Sequence, residues 1–414
     1  MTSDSLTDGV RKSASTAAAS GFAFTTLAVS ARFFKQLGLA GILAYILIGG
    51  AAVFALVRYG TRPVANRIPQ RYATPLALAA AILIAIIAVP LHDLVNRNAL
   101  DIPGFSYGNT DIDDALIVGL NALLQGQHPY SVRTWVQGEL TPMPGALLLA
   151  LPFHLAGSVV LQNAFWLFML FVALGWLVKD RSAALYLWGL SLFFSPKILE
   201  EQVVQGADRL VNATYILIAS LILIEAARRR ANAVIQAAAA VGVGVVFSSR
   251  LNFLLLAPLL LSALVKVAGW KRGAWLASIA AGSFVAITAP FYFTSPGPFA
   301  PFHTLGKLSH ATPLLTALGV LAVGVTAALS IWLAWKTDNA DIQTYLRNCF
   351  VVQLVIVAIE TTLTLPSHNA VLTWMYVQYG FFFFPFGFLY FGSRVIQSLK
   401  DSQSTMRTAP ESQG

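Results

Sequence analysis

Three carboxylates fall within four positions, Asp111, Asp113 and Asp114, inside the stretch NTDIDDALIVGLNALLQGQHPY at 109–130. They stand just before ALIVGLNALLQG, whose apolar spacing predicts an amphipathic helix. An Asp at a helix start often serves only as a cap, and acidic residues suit that end electrostatically. Three carboxylates are more than a cap requires. Crowded carboxylates raise one another's pKa, which suits a general base, and they also offer oxygens to a divalent metal.

Other polar stretches could handle an anion. SPKILEEQVVQGADRL at 195–210 sets Lys197 and Arg209 around Glu200, Glu201, Gln205 and Asp208. It reads either as a solvated loop or as the polar rim of a lipid-facing cavity, with a cation for a phosphate. In SSRLNFLLLAPLLL at 248–261, Arg250 has no acidic neighbour in sequence. Arginine snorkels to the membrane interface, and it is also the preferred partner of phosphate oxygens. PGPFAPFHTLGKLSH at 296–310 is a Pro/Gly/aromatic loop with His303, Lys307 and His310, residues suited to a phosphate or a sugar hydroxyl. GELTPMPGALLLALP at 138–152 has Pro142 and Pro144, which end one helix and launch another.

The elements that must position these residues follow from composition. Of 414 residues, 57% are hydrophobic and only 11% are charged, with a mean hydropathy of +0.69. A soluble chain runs nearer 25% charged. A soluble enzyme, a transcription factor and a disordered scaffold are therefore excluded, and an all-α polytopic membrane protein is expected. The net charge of +9 comes from residues dispersed among apolar spans, which excludes nucleic acid as a partner. The single cysteine, Cys349, excludes an intramolecular disulfide and a cysteine-based metal cluster.

A span needs roughly 20 apolar residues. Spans are expected near 37–57, 74–94, 159–178, 182–196, 210–227, 231–247, 251–266, 274–293, 313–335, 347–365 and 372–393, eleven in all. Residues 1–36 form an interfacial or marginal twelfth, since STAAASGFAFTTLAVSA is too weakly apolar for a signal core. The segment 145–157 is too short to cross and is expected to be re-entrant or juxtamembrane. The domain plan is therefore one transmembrane unit over 37–393, with a long outer loop at 95–143 and a polar cytoplasmic tail at 394–414.

Alternate loops carry 17 and 6 basic residues, which puts the richer set in the cytoplasm. The outer set then holds nine acids, counting Asp93 at its boundary, against six bases. All six histidines (His92, His128, His154, His303, His310 and His368) fall on that side or at its boundary. Long outer loops collect polar residues in any case; an outward-facing site would account for the remainder of the bias.

Asp111 or Asp113, then ALLQGQHPY (122–130), TPMPGALLLALP (141–152), VVQGADRL (203–210), RRR (228–230) and SSRLNFLLLAPLLL carry a resemblance over about 90–290. On these motifs the chain resembles the C-type glycosyltransferase (GT-C) superfamily. The closer likeness is to its bacterial polyprenyl-phosphate-mannose-dependent mannosyltransferase-like branch. Gln205-Gly206 reverses the usual order of that element, and Arg250 stands where a lysine is more common. The resemblance implies a fold of about 11–12 transmembrane helices whose first long outer loop carries amphipathic or re-entrant helices. It implies a transferase of the cell envelope in the bacterial inner (plasma) membrane, working on the outer face. A polyprenyl-phosphate sugar, mannose-like, is the implied donor, a lipid or glycan hydroxyl the acceptor, and membrane lipids the surroundings.

In that family a carboxylate of the first outer loop is the base, so Asp111, Asp113 or Asp114 would deprotonate the acceptor, with inversion at the anomeric carbon. Arg250, Arg209, Lys197, His303 and His310 would hold the donor phosphate. His128, Tyr130, Glu139, Gln205 and Asp208 would line the substrate. The resemblance assigns no definite cofactor and leaves room for a divalent metal. Two other classes compete. A secondary transporter would need charge pairs buried within spans and an internal repeat; the one clear mid-span acid is Glu360. A polysaccharide ligase or polymerase would carry its main polar loop nearer the C-terminus.

Overall fold

The computed structural model describes residues 3–31, 33, 37–98, 113–134, 137–295, 297, 299–303, 313–364 and 377–408. The chain is an all-α protein of the polytopic membrane type. Among the described residues the one β pairing is an isolated bridge between Arg133 and Glu139.

The helices, in chain order, are α1 (Ser3–Ala28), α2 (Ala40–Ala65), α3 (Gln70–Asn98), α4 (Asp114–Leu124), α5 (Pro144–Leu155), α6 (Leu161–Val178) and α7 (Arg181–Phe194). After them come α8 (Arg209–Arg228), α9 (Ala233–Phe247), α10 (Leu251–Ala268, its first turns 3-10), α11 (Trp270–Thr294), α12 (Pro313–Lys336), α13 (Ile342–Thr364) and α14 (Phe384–Thr408). Among the described residues eight helices are long and apolar enough to cross a membrane, or nine if α7 and the π-helical turn Ile198–Val204 form one bent span.

The expected eleven spans differ from this for physical reasons. The stretch at 231–247 gives α9, only 15 residues and about 22 Å long. The stretch at 182–196 ends at Phe194, and the chain then turns by 90°. The last span starts as a 3-10 turn, Val377–Phe382, and continues as α14 to Thr408. The boundary expected at 393 is therefore no break: the helix runs on through the polar tail, and its mixed composition keeps it off the apolar count.

Each end of the bundle gathers one set of loops. At the basic end, Arg228 donates to the Ala340 carbonyl (2.6 Å), Arg272 to Gln236 (2.8 Å) and Lys400 to the Val178 carbonyl (2.6 Å). The segment 1–36 contributes α1, which packs lengthwise on α14. Ser398 donates to Ser15 near the basic end, and Ser195 donates to the Thr26 carbonyl at the other. Helix α8 occupies the centre. It is apolar on nearly every face, and most of its residues between Arg209 and Ala227 are buried, as such a helix requires.

Two short helices cap the end opposite the basic loops. Helix α4 matches the expected amphipathic segment and buries Leu116 and Leu120 against Leu140 and Leu147. Helix α5 has 12 residues, too few to cross. It docks through Gly145, whose N–H donates to the Ser248 carbonyl at 2.6 Å. A Cβ at Gly145 would lie 2.1 Å from the Val245 carbonyl oxygen and 2.5 Å from that of Ser248. Neither backbone group can swing aside. Gly145→Ala is therefore expected to lift α5 and destabilise the fold by about 1–3 kcal/mol. Thermal unfolding in detergent checks this; an unchanged midpoint would contradict it.

Candidate active site

The polar end is built on three junctions. The first is between α3 and α4. His92 lies near the end of α3, and its Nε2 is 2.6 Å from Asp113 Oδ2, with side chains 7% and 3% exposed. Asp113 stands at the cap position just before α4, but its side chain caps no N–H there. It turns to the imidazole instead, so the local capping role gives way to a tertiary partner. Asp93 Oδ1 approaches the other ring nitrogen of His92 at 3.7 Å. Asp114 is half-buried in the first turn of α4. Asp111 lies outside the described residues.

The second junction is the break between α7 and α8. Pro196 follows the last residues of α7, and proline cannot continue a helical hydrogen-bond ladder. Across the break, Asn163 of α6 donates to the Ala207 carbonyl at 2.7 Å and to that of Gln202. Within it, Lys197 Nζ is 2.8 Å from Glu200 and 3.8 Å from Glu201, while Arg209 Nη1 donates to Glu201 Oε1 at 2.6 Å. Gln205 reaches Glu200 at 3.3 Å. Gly206 closes the turn at φ +69, a conformation that favours glycine. A Cβ there would sit 2.9 Å from Asp113 Cβ and 3.5 Å from His92 Nε2. The Gln205-Gly206 turn therefore packs directly on the Asp113–His92 pair.

The third junction joins α8 to the turn after α9. Arg250 Nη2 donates to Asp208 Oδ1 at 2.6 Å. Asp208 also accepts from Asn212 at 3.0 Å, and Tyr215 donates to Asn212. Burying such charges is tolerable only when they are paired and hydrogen-bonded. Here Asp208 is 2% and Arg250 19% exposed at the side chain.

The expected site residues thus separate into groups. Asp113, Gln205 and Asp208 come together around one turn, with Lys197, Arg209 and Arg250 each held in a carboxylate pair. His128 and Tyr130 fasten the small outer layer instead. His128 Nε2 bonds the Phe291 carbonyl at 3.0 Å, and Tyr130 donates to the Pro142 carbonyl at 2.9 Å. Burial pushes the Tyr130 phenol well above its ordinary pKa, so it acts as a neutral donor. Glu139 pairs with Arg133 at 3.3 Å across the small β bridge. His303 ends a 3-10 turn, Ala300–His303, while Lys307, His310 and His368 lie outside the described residues.

Among the described residues no three His, Cys, Asp or Glu side chains converge on a metal position. His92, Asn163 and Asn212 carry much of this geometry, and the sequence singled out none of them as a site residue. His92 belongs to the histidines collected at that end, but no local spacing ties it to a partner 21 positions later. No protein-family model matches the chain, and neither a curated protein nor a solved structure matches it.

Proposed function

We propose that the chain is an integral-membrane glycosyltransferase. It moves a hexose, mannose-like by resemblance, from a polyprenyl-phosphate donor to an acceptor hydroxyl on the outer face of the membrane. The observation that carries this reading is the Gln205-Gly206 turn. Gly206 packs on a buried carboxylate, Asp113 held by His92, and two residues further along the same turn Asp208 holds Arg250.

The chemistry then follows. With its Nε2 proton directed at Asp113, His92 orients the carboxylate. Asp113 takes the proton of the acceptor hydroxyl, and the acceptor oxygen attacks the anomeric carbon. The bond from that carbon to the donor phosphate oxygen breaks, and configuration inverts in a single displacement. Phosphate is a good leaving group, and a cation set beside it can supply much of the remaining stabilisation. Arg250 is suited to this, because a guanidinium has five donors and can serve a carboxylate and a phosphate together. Asp208 acts by positioning it.

An apolar cavity of about 610 Å³ supports the lipid-linked donor. Phe24 and Leu27 of α1, Phe54 of α2, Val357 of α13 and Phe383 line it. The same stretch of α1 leads to Ser30, whose hydroxyl accepts from the Lys197 N–H at 3.2 Å. A polyprenyl chain lying in the cavity would present its phosphate towards the Lys197 end.

A secondary transporter is the second reading. The 90° break after α7, with buried charge pairs beside it, is an arrangement that transporters use at substrate sites. Reconstitution separates the two. Vesicles given a polyprenyl-phosphate sugar and an acceptor are expected to accumulate a glycosylated product. Solute flux with no such product would favour the transporter.

A further inference from the structure

At the basic end, α3 and the α6–α7 corner frame a second cavity, of about 760 Å³. One wall is apolar: Phe171, Val172 and Trp176 of α6. The rim carries three exposed cations, Arg71 from the first turn of α3 and Lys179 and Arg181 from the corner. The one acid at this rim, Asp180, is committed within the protein. Its Oδ1 accepts from the Ala183 N–H at 3.0 Å, capping α7, and from Gln70 Nε2 at 2.6 Å. Gln70 completes the knot by accepting from the Arg181 N–H at 2.7 Å. Lys179 is held at φ +53 as α6 ends. Among the described residues none of the three cations takes part in an ion pair.

We propose that this pocket binds the phosphate headgroup of an anionic membrane phospholipid. The three cations meet the phosphate, and an acyl chain runs along Phe171, Val172 and Trp176. A free phosphate would use the cations but gains nothing from the apolar wall. Trp176 is 42% exposed beside the cations, a position where tryptophan marks the headgroup level. The richer loop charge at this end is what places it on the side where anionic lipids attract basic segments. The pocket lies about 30 Å along α3 from His92, so it is separate from the proposed transfer site and does not depend on it.

Native mass spectrometry of the detergent-solubilised full chain tests this, with phosphatidylglycerol, phosphatidylcholine of the same chains, and inorganic phosphate as probes. The wild-type chain is expected to retain phosphatidylglycerol with about a hundredfold preference over phosphatidylcholine, as three cations near a headgroup would give. Arg71→Gln/Lys179→Gln/Arg181→Gln is expected to lose at least tenfold of that binding. Arg230→Gln/Lys271→Gln/Lys336→Gln, which removes as much charge from the same end, is expected to keep it. Equal retention of both lipids by the wild-type chain would overturn the proposal without recourse to any variant. So would undiminished binding in the pocket variant, or an equal loss in the control. Inorganic phosphate bound as tightly as the lipid would assign the cations to a soluble anion and overturn the lipid site.

Discussion

Asp113→Asn is expected to lower the rate of sugar transfer by about 10²- to 10⁴-fold, the usual contribution of a general base. Asparagine has the same shape and can still accept a hydrogen bond from His92 Nε2, now 2.6 Å from the carboxylate. The variant should therefore fold, insert and elute as the wild-type chain does. Asp114→Asn is expected to stay within a few-fold of wild type, because Asp114 has turned into the first turn of α4. Rates measured with a defined donor and acceptor check both. An active Asp113→Asn beside an inactive Asp111→Asn would move the base to Asp111.

Arg250→Met is expected to fail in two separable ways. It leaves Asp208, 2% exposed at the side chain, as a buried carboxylate without its guanidinium, at a cost of about 3–5 kcal/mol. It also removes the charge that would stabilise the departing phosphate, at a cost of about 10²- to 10³-fold in rate. Neutralising the carboxylate as well separates the two effects. Arg250→Met/Asp208→Asn should recover most of the thermal stability, since an amide still bonds to Asn212, yet remain slow. A double variant that recovers both stability and activity would make the pair purely structural.

The class of fold is legible in the sequence because it rests on summed properties. Long apolar helices follow from composition, and the alternation of basic loops follows from their order. What fails is local. The stretch at 231–247 reads as a span by hydropathy, but α9 has only 15 residues. The polar tail reads as a separate piece, but α14 carries its helix through to Thr408, with Ser398 meeting Ser15 of α1 along the way.

The site was legible as a list of residues and not as an arrangement. Asp113 before an apolar run reads as a cap or a base with equal ease. Only the fold, by bringing in His92 from the end of α3, shows its carboxylate turned away from the helix start. Arg250 reads as a cation with no acid nearby, while its partner Asp208 lies 42 positions earlier. Lys197 and Arg209 read as cations for a phosphate, while the fold holds them against Glu200 and Glu201. Gly206 is a further case. Nothing in the sequence around it predicts a positive φ against Asp113 Cβ, because that requirement is set by a tertiary neighbour.

The most direct measurement is the release of polyprenyl phosphate. The purified chain, reconstituted with a panel of polyprenyl-phosphate sugars and a hydroxyl acceptor, should release lipid phosphate in equal amount to the glycosylated acceptor formed. Release should fall to background with Asp113→Asn. No release from any donor in the panel, or release of the same size from the Asp113→Asn chain, would contradict a transfer site built on Asp113.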